Sequence, residues 1–306
     1  MEEIKVFAPA SVANVGPGYD TFGFALEQLG DIIHLTKRKD SKLHLLPAEG
    51  ADLPTDPEKN VASVAIKALL DHVDSTQGFD IRIKKLFKPG SGLGSSASSA
   101  SGAAFAANEL LGRPLKTEKL LTYALAGEAL ASGSIHADNV APSLLGGFHV
   151  VRSYDPLDLF TIPTPEKLRV LIIFPDVEVK TSMAKGLVPK EITVKDARDQ
   201  WGNVGALIHA LHTENYTLLS RAISDKIAEP VRKTLIPEYG TIKQTAKDYG
   251  AVGFNISGSG PSMFALFTSA DAAKACTARI EKIYQKLDLP VMMHLSKINP
   301  IGCQII

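Results

Sequence analysis

Glycine stands at every second position from Gly90 to Gly94, after Pro89 and before Ser95, Ser96 and an alanine-rich run that ends at Gly112 and Pro114. This stretch limits the fold more than any other, because it asks for a freely rotating turn followed at once by a helix. Ahead of it Phe79, Ile81 and Ile83 alternate with Asp80, Arg82 and Lys84, the period of a half-buried strand. Strand, glycine turn and helix start, in that order, bring backbone N–H groups and the positive end of a helix dipole to one concave spot suited to an anion. The spacing is neither G-x-x-x-x-G-K-[ST] nor G-x-G-x-x-G, and no G-x-S-x-G surrounds Ser95 or Ser96. A phosphate cradle and a flexible turn both remain open from these residues alone.

A chain of 306 residues suggests about two domains. Lys and Arg number 33 and Asp and Glu 33, so no net field draws the protein to nucleic acid or an anionic membrane. The start, Met1 to Lys5, lacks the pattern of an export signal, and no apolar run reaches the roughly 18 residues of a membrane span. Cys276 and Cys303 offer neither a disulfide framework nor a zinc set, which fits a reducing cytoplasm.

The first half reads as mixed helix and strand: a helix capped by Asn60 and ending near Val73, the helix after the glycine loop, and another from Thr117 to about Ala131. A loop of Gly, Ser, His, Asp and Asn follows, then a short strand near Val150. Pro156, Pro163 and Pro165 mark a loop taken as the boundary between an N-terminal domain, 1–160, and a C-terminal domain, 161–306. Beyond it lie a buried strand from Leu168 to Phe174 and a long helix. That helix should pack Val194, Ala197, Trp201, Val204, Ile208 and Leu211 into the core. Helices near 216–224, 238–249 and 271–286, a strand pair within 251–267 and a final strand around Met292 complete an α+β pattern.

Gly92-Leu93-Gly94-Ser95-Ser96-Ala97 resembles the phosphate-binding motif of the GHMP superfamily, the kinases of galactose, homoserine, mevalonate and phosphomevalonate. The stretch from Ala8 to Asp20 resembles the opening of homoserine kinases in particular, and Ser257 to Ser262 resembles the third superfamily motif. The resemblance implies an N-terminal domain like domain 2 of ribosomal protein S5 and a ferredoxin-like C-terminal domain. It further implies ATP- and Mg²⁺-dependent phosphorylation of L-homoserine on the route to threonine, by a homodimer. Another small-alcohol kinase of the superfamily is the alternative.

It also implies roles for residues. Lys88, Pro89, Gly90, Ser91, Gly92, Leu93, Gly94, Ser95, Ser96 and Ala97 would hold the nucleotide, with Asn60 at its base. Ser95 or Ser96, with Glu128, would hold Mg²⁺. Asn139 would orient the attacking hydroxyl without a general base, in a pocket formed with Asn14, Asp20 and His136. Thr181, Lys185 and Arg232 would complete it, the cations facing the substrate carboxylate. Two positions depart from the family pattern: Lys88 stands where proline is usual, and Lys185 where arginine is.

Overall fold

The computed structural model describes residues 1–133 and 135–306. Its first sheet is built on two long strands, β1 (Glu3–Ala13) and β2 (Phe22–Lys37), paired antiparallel with a register shift between Pro9 and Ser11. Pro9 carries no N–H for the ladder, and the bulge beside it bends the pair. β3 (Leu43–Leu45) runs parallel to β4 (Phe79–Lys85), and β5 (Phe148–Tyr154) forms a hairpin with β6 (Leu157–Ile162). β2 is long enough for two partners on one edge: residues 31–37 pair with β4 and residues 22–24 with β5. The proline-marked stretch therefore contains a strand, and position 160 lies within it.

Four helices cover this sheet: α1 (Val61–His72), α2 (Ser95–Leu110), α3 (Leu121–Ser132) and α4 (Ala137–Leu145). α2 is buried nearly all round, and its alanines let it lie against Ile33, Ile81 and Ile83. Gly102 takes this closest, since a Cβ there would stand 2.6 Å from Ile33. α4 corrects the expectation of a loop after residue 133. Its polar first turn hides a helix whose Val140, Ala141 and Leu144 enter the core and whose Ser143 hydroxyl donates to the Pro9 carbonyl at 2.7 Å.

The second sheet has the order β10-β7-β9-β8, antiparallel throughout, from β7 (Arg169–Pro175), β8 (Gly253–Ile256), β9 (Met263–Phe267) and β10 (Val291–Ser296). With it come α5 (Thr181–Gly186), α6 (Val194–His212), α7 (Tyr216–Ala222), α8 (Glu229–Arg232), α9 (Tyr239–Asp248) and α10 (Ala270–Gln285). A last strand, β11 (Gln304–Ile305), returns to pair with β1, so the strand near Met292 is not the final one. α6 turns Ala197, Val204, Ile208 and Leu211 inward as expected, but Val194 and Trp201 are 83% and 69% exposed. Apolar spacing fails at Trp201 because Gln200 beside it enters the interior instead, with all of its polar atoms hydrogen-bonded. Among the described residues no helix is long and apolar enough to cross a membrane.

The two sheets share a core. Val12, Phe22, Phe24 and Phe148 of the first meet Val170, Ile172 and Phe264 of the second. Phe24 is the joint, with ring centroids 5.7 Å from Phe148 and 6.0 Å from Phe264, the latter edge-on. Phe24→Ala should cost about 3–5 kcal/mol, read as a lower denaturant midpoint. Because both halves rest on this ring, tryptophan fluorescence and circular dichroism should shift together.

Candidate active site

Gly90, Gly92 and Gly94 all adopt left-handed backbone, with φ of 73°, 81° and 66°. At two of them there is no room for a side chain either. A Cβ on Gly92 would stand 2.6 Å from the Ser257 carbonyl oxygen, and one on Gly94 would stand 2.2 Å from Ser11 Oγ and 2.7 Å from Asn139 Oδ1. Hydrogen bonds tie the loop to the other two motifs: the Ser257 hydroxyl donates to Gly92 O at 2.7 Å, Ser262 N to Ser91 O, and Ser11 N to Leu93 O. Among the described residues no side chain caps α2, so the N–H groups of its first turn are open to a ligand.

These elements enclose a cavity of about 440 Å³. Pro89, Gly90, Gly92, Gly94, Ser95, Ser96, Asn60 and Glu128 line it, as do Asn14, Asp20, His136, Asn139, Thr181, Lys185 and Arg232. Four expected nucleotide contacts lie outside the lining. Lys88 Nζ pairs with Asp176 at 2.7 Å, Ser91 and Leu93 are buried against neighbouring segments, and Ala97 lies in the α2 core. Ser134, within the family-like stretch that holds His136 and Asn139, lies outside the described residues. Asn60 also caps α1, accepting from Ala62 N at 3.0 Å.

Ser95 and Ser96 point to different partners. Ser96 hydrogen-bonds Glu128, whose carboxyl burial pushes up to about 7 against the pull of Ser96, Lys185 and Lys85. Ser95 Oγ accepts from Lys85 Nζ at 2.7 Å. Lys85 is itself a pocket residue that the sequence did not single out. Its ammonium donates to Asp31 Oδ2 at 2.6 Å, to Ser99 Oγ at 2.8 Å and to Ser95 O at 2.8 Å, with both charged groups almost fully buried. Desolvation holds the Lys85 ammonium below its usual range and the Asp31 carboxyl above its own, while the pairing opposes both shifts. The signal was in the strand period, since Lys85 continues the inward series Phe79, Ile81, Ile83.

Across the cavity, Asn139 Oδ1 accepts from the Ser11 hydroxyl at 3.0 Å, which leaves its Nδ2 as the group able to donate. Lys185 Nζ lies 3.0 Å from His136 Nε2, and burial followed by the lysine charge holds the imidazole below its usual value. Asn14 Nδ2 and Arg232 Nη1 both donate to Gly258 O, at 2.9 and 2.8 Å, and the guanidinium lies over the Tyr19 ring. Asn14 and Asp20 take left-handed backbone, and Asp20 N donates to Asn14 Oδ1, so they are turn residues as well as lining.

Asp138 is the other group that sequence reasoning passed over. It is fully buried and lines the cavity, and among the described residues its Oδ1 has no hydrogen-bond partner. Burial, then the fields of Asp20 and Glu128, raise its carboxyl to about 8. A cradle of N–H groups, a carboxyl–hydroxyl pair, the cations Lys85, Lys185 and Arg232, and a buried carboxyl in the cavity wall together suit a polyanion beside a small zwitterion.

Comparison with known proteins agrees. Residues 60–147 match the family model of the GHMP kinases N terminal domain and residues 207–286 that of the GHMP kinases C terminal. The chain is 42% identical to a homoserine kinase of Chlorobium phaeovibrioides over all of both chains. It superposes on the crystal structure of a homoserine kinase from Cytophaga hutchinsonii with TM-score 0.97 and 43% identity, covering 100% of this chain and 98% of that one. A mevalonate kinase of L. major shares the fold at TM-score 0.74 and 18% identity, with 96% of each chain covered.

The buried carboxyl makes a testable demand on stability. Unfolded, Asp138 ionises near pH 3.9; folded, it holds its proton to about pH 8, so its contribution to stability is complete below the former and is lost as pH rises through the latter. Asp138→Asn removes this liability. The variant should therefore gain melting temperature over the parent at pH 8 and much less at pH 5, in paired thermal scans.

Proposed function

The chain belongs to the GHMP kinases, in the homoserine kinase family, and from that premise we propose that it transfers the terminal phosphoryl of ATP to the hydroxyl of L-homoserine. The observation that carries the acceptor's identity is Asp138, a buried carboxyl that lines the cavity and whose Oδ1 has no hydrogen-bond partner among the described residues. An α-ammonium group satisfies it; a hydroxy acid or sugar brings no cation to do so. Arg232 and Lys185 take the α-carboxylate. Lys185 supplies a compact charge where the family has a planar fork, so Arg232 carries more of that contact.

The residues then divide the work of a phosphoryl transfer, which needs alignment and charge neutralisation more than covalent chemistry. The amides of Gly90 to Ser96 and the start of α2 cradle the phosphates, and Lys85 adds positive charge beneath them. Ser96 and Glu128 fit Mg²⁺, a hard cation taking oxygen ligands, with phosphate oxygens and water completing its shell. Mg²⁺ bound there would neutralise charge on the transferring group. Asn139 donates through Nδ2 to the acceptor oxygen, its Oδ1 being held by Ser11. An amide cannot take a proton, so Asn139 orients the hydroxyl and is no base. A homodimer belongs to the same reading and is checked by light scattering.

An ADP-release assay across homoserine, mevalonate and galactose tests the function: turnover should require homoserine, and equal rates with mevalonate would overturn the assignment. Asp138→Asn should raise the homoserine KM about tenfold to a hundredfold and leave that for ATP nearly unchanged, the loss expected of one charge-assisted contact. Gly94→Ala places a methyl on the Asn139 amide, so kcat should fall roughly a hundredfold in steady-state assays.

A further inference from the structure

Gln200 and Asp225 are buried polar residues outside the cavity, 4% and 6% exposed, and they bind two segments that carry its lining residues. Gln200 Nε2 donates to the Pro17 carbonyl at 2.9 Å and to Asp225 Oδ1 at 3.0 Å, while its Oε1 accepts from Lys226 N at 2.8 Å. Pro17 lies midway along the loop that carries Asn14 and Asp20. Asp225 in turn accepts from Ile227 N through Oδ1 and from Ala228 N and Glu229 N through Oδ2, at 2.7–3.0 Å. Those amides open α8, a single turn that ends at Arg232. Each polar atom of both side chains is engaged, and the chain of bonds runs from the Asn14–Asp20 loop to the helix bearing Arg232.

Packing alone would be met by an apolar side chain at 200. An amide that donates to one segment and both donates to and accepts from a second specifies their separation instead. The segments it joins are the two that converge on Gly258 O through Asn14 and Arg232. We infer that Gln200 and Asp225 form a positioning pair which fixes the loop of Asn14 and Asp20 against the Arg232 helix. Through that spacing the pair sets the acceptor chain length that the pocket accepts. The inference rests on the amino-acid substrate reading above, and it adds a specificity role for residues that touch no ligand.

The test measures KM for each substrate, and kcat/KM for homoserine against serine and 2-amino-5-hydroxypentanoate, one carbon shorter and one longer. Gln200→Glu turns the shared donor into an acceptor facing two acceptors. It should raise the homoserine KM at least about tenfold, hold the ATP KM within about twofold and narrow the preference for homoserine over both homologues. Adding Asp225→Asn supplies a donor opposite Glu and should restore part of the homoserine KM. Should Gln200→Glu fail to accumulate as folded protein, Gln200→Met, which keeps the volume and removes the hydrogen bonds, carries the same comparison. An unchanged chain-length preference, or equal changes in both Michaelis constants with a lowered melting temperature, would overturn the positioning role. If the parent enzyme turns over another acceptor and not homoserine, the substrate reading fails instead. The pair is then judged on that acceptor and its one-carbon homologues by the same ratios.

Discussion

The whole site depends on a close approach of backbone to backbone at Gly92. Its Cα lies where any side chain would strike the carbonyls of Ser257 and Gly260, and the Ser257 hydroxyl binds its oxygen. One loop thereby joins a strand of the first sheet to a turn between two strands of the second. The left-handed backbone at residues 90, 92 and 94 is the kind of turn in which successive N–H groups can face one anion. The anion cradle is thus built into one of the contacts between the two halves of the molecule.

How much of this the sequence discloses depends on whether a residue acts through its neighbours in the chain or through distant ones. β4, the glycine loop and α2 are legible because alternation, glycine spacing and an alanine run are local signals, and tertiary structure has no reason to override them. Asn139, Glu128 and Arg232 are legible only through resemblance, since a lone Asn, Glu or Arg is ordinarily a surface residue. α4 escapes because the polar residues of its first turn serve the cavity, so its composition looks like a loop. Trp201 misleads for the converse reason: counting apolar residues cannot show that a glutamine on the adjacent stripe will find partners 183 and 25 positions away.

Lys85 and Asp31 lie between these cases. Each sits on the inward face of its strand, so strand periodicity alone marks them as charges in an apolar layer. Burying either alone would cost several kcal/mol. Only the antiparallel register of β2 and β4, which sets Asp31 directly opposite Lys85, shows that the two charges pair, through Asp31 Oδ2. The pair then reaches the ligand side through Ser95 and Ser99, two hydroxyls on successive turns of α2.

The ionisable groups of the cavity also couple the ligands that would bind beside Glu128 and Asp138. Glu128 and Asp138 are both held towards the protonated form by burial, and the field of Glu128 raises Asp138 further. A cation that neutralises Glu128 removes part of the repulsion that keeps Asp138 neutral, so Asp138 ionises more readily and binds an ammonium group more tightly. By linkage the reverse holds with equal strength: an ammonium group at Asp138 favours the ionised form of Glu128. The coupling needs no moving part, because it follows from two buried carboxyls that line one cavity.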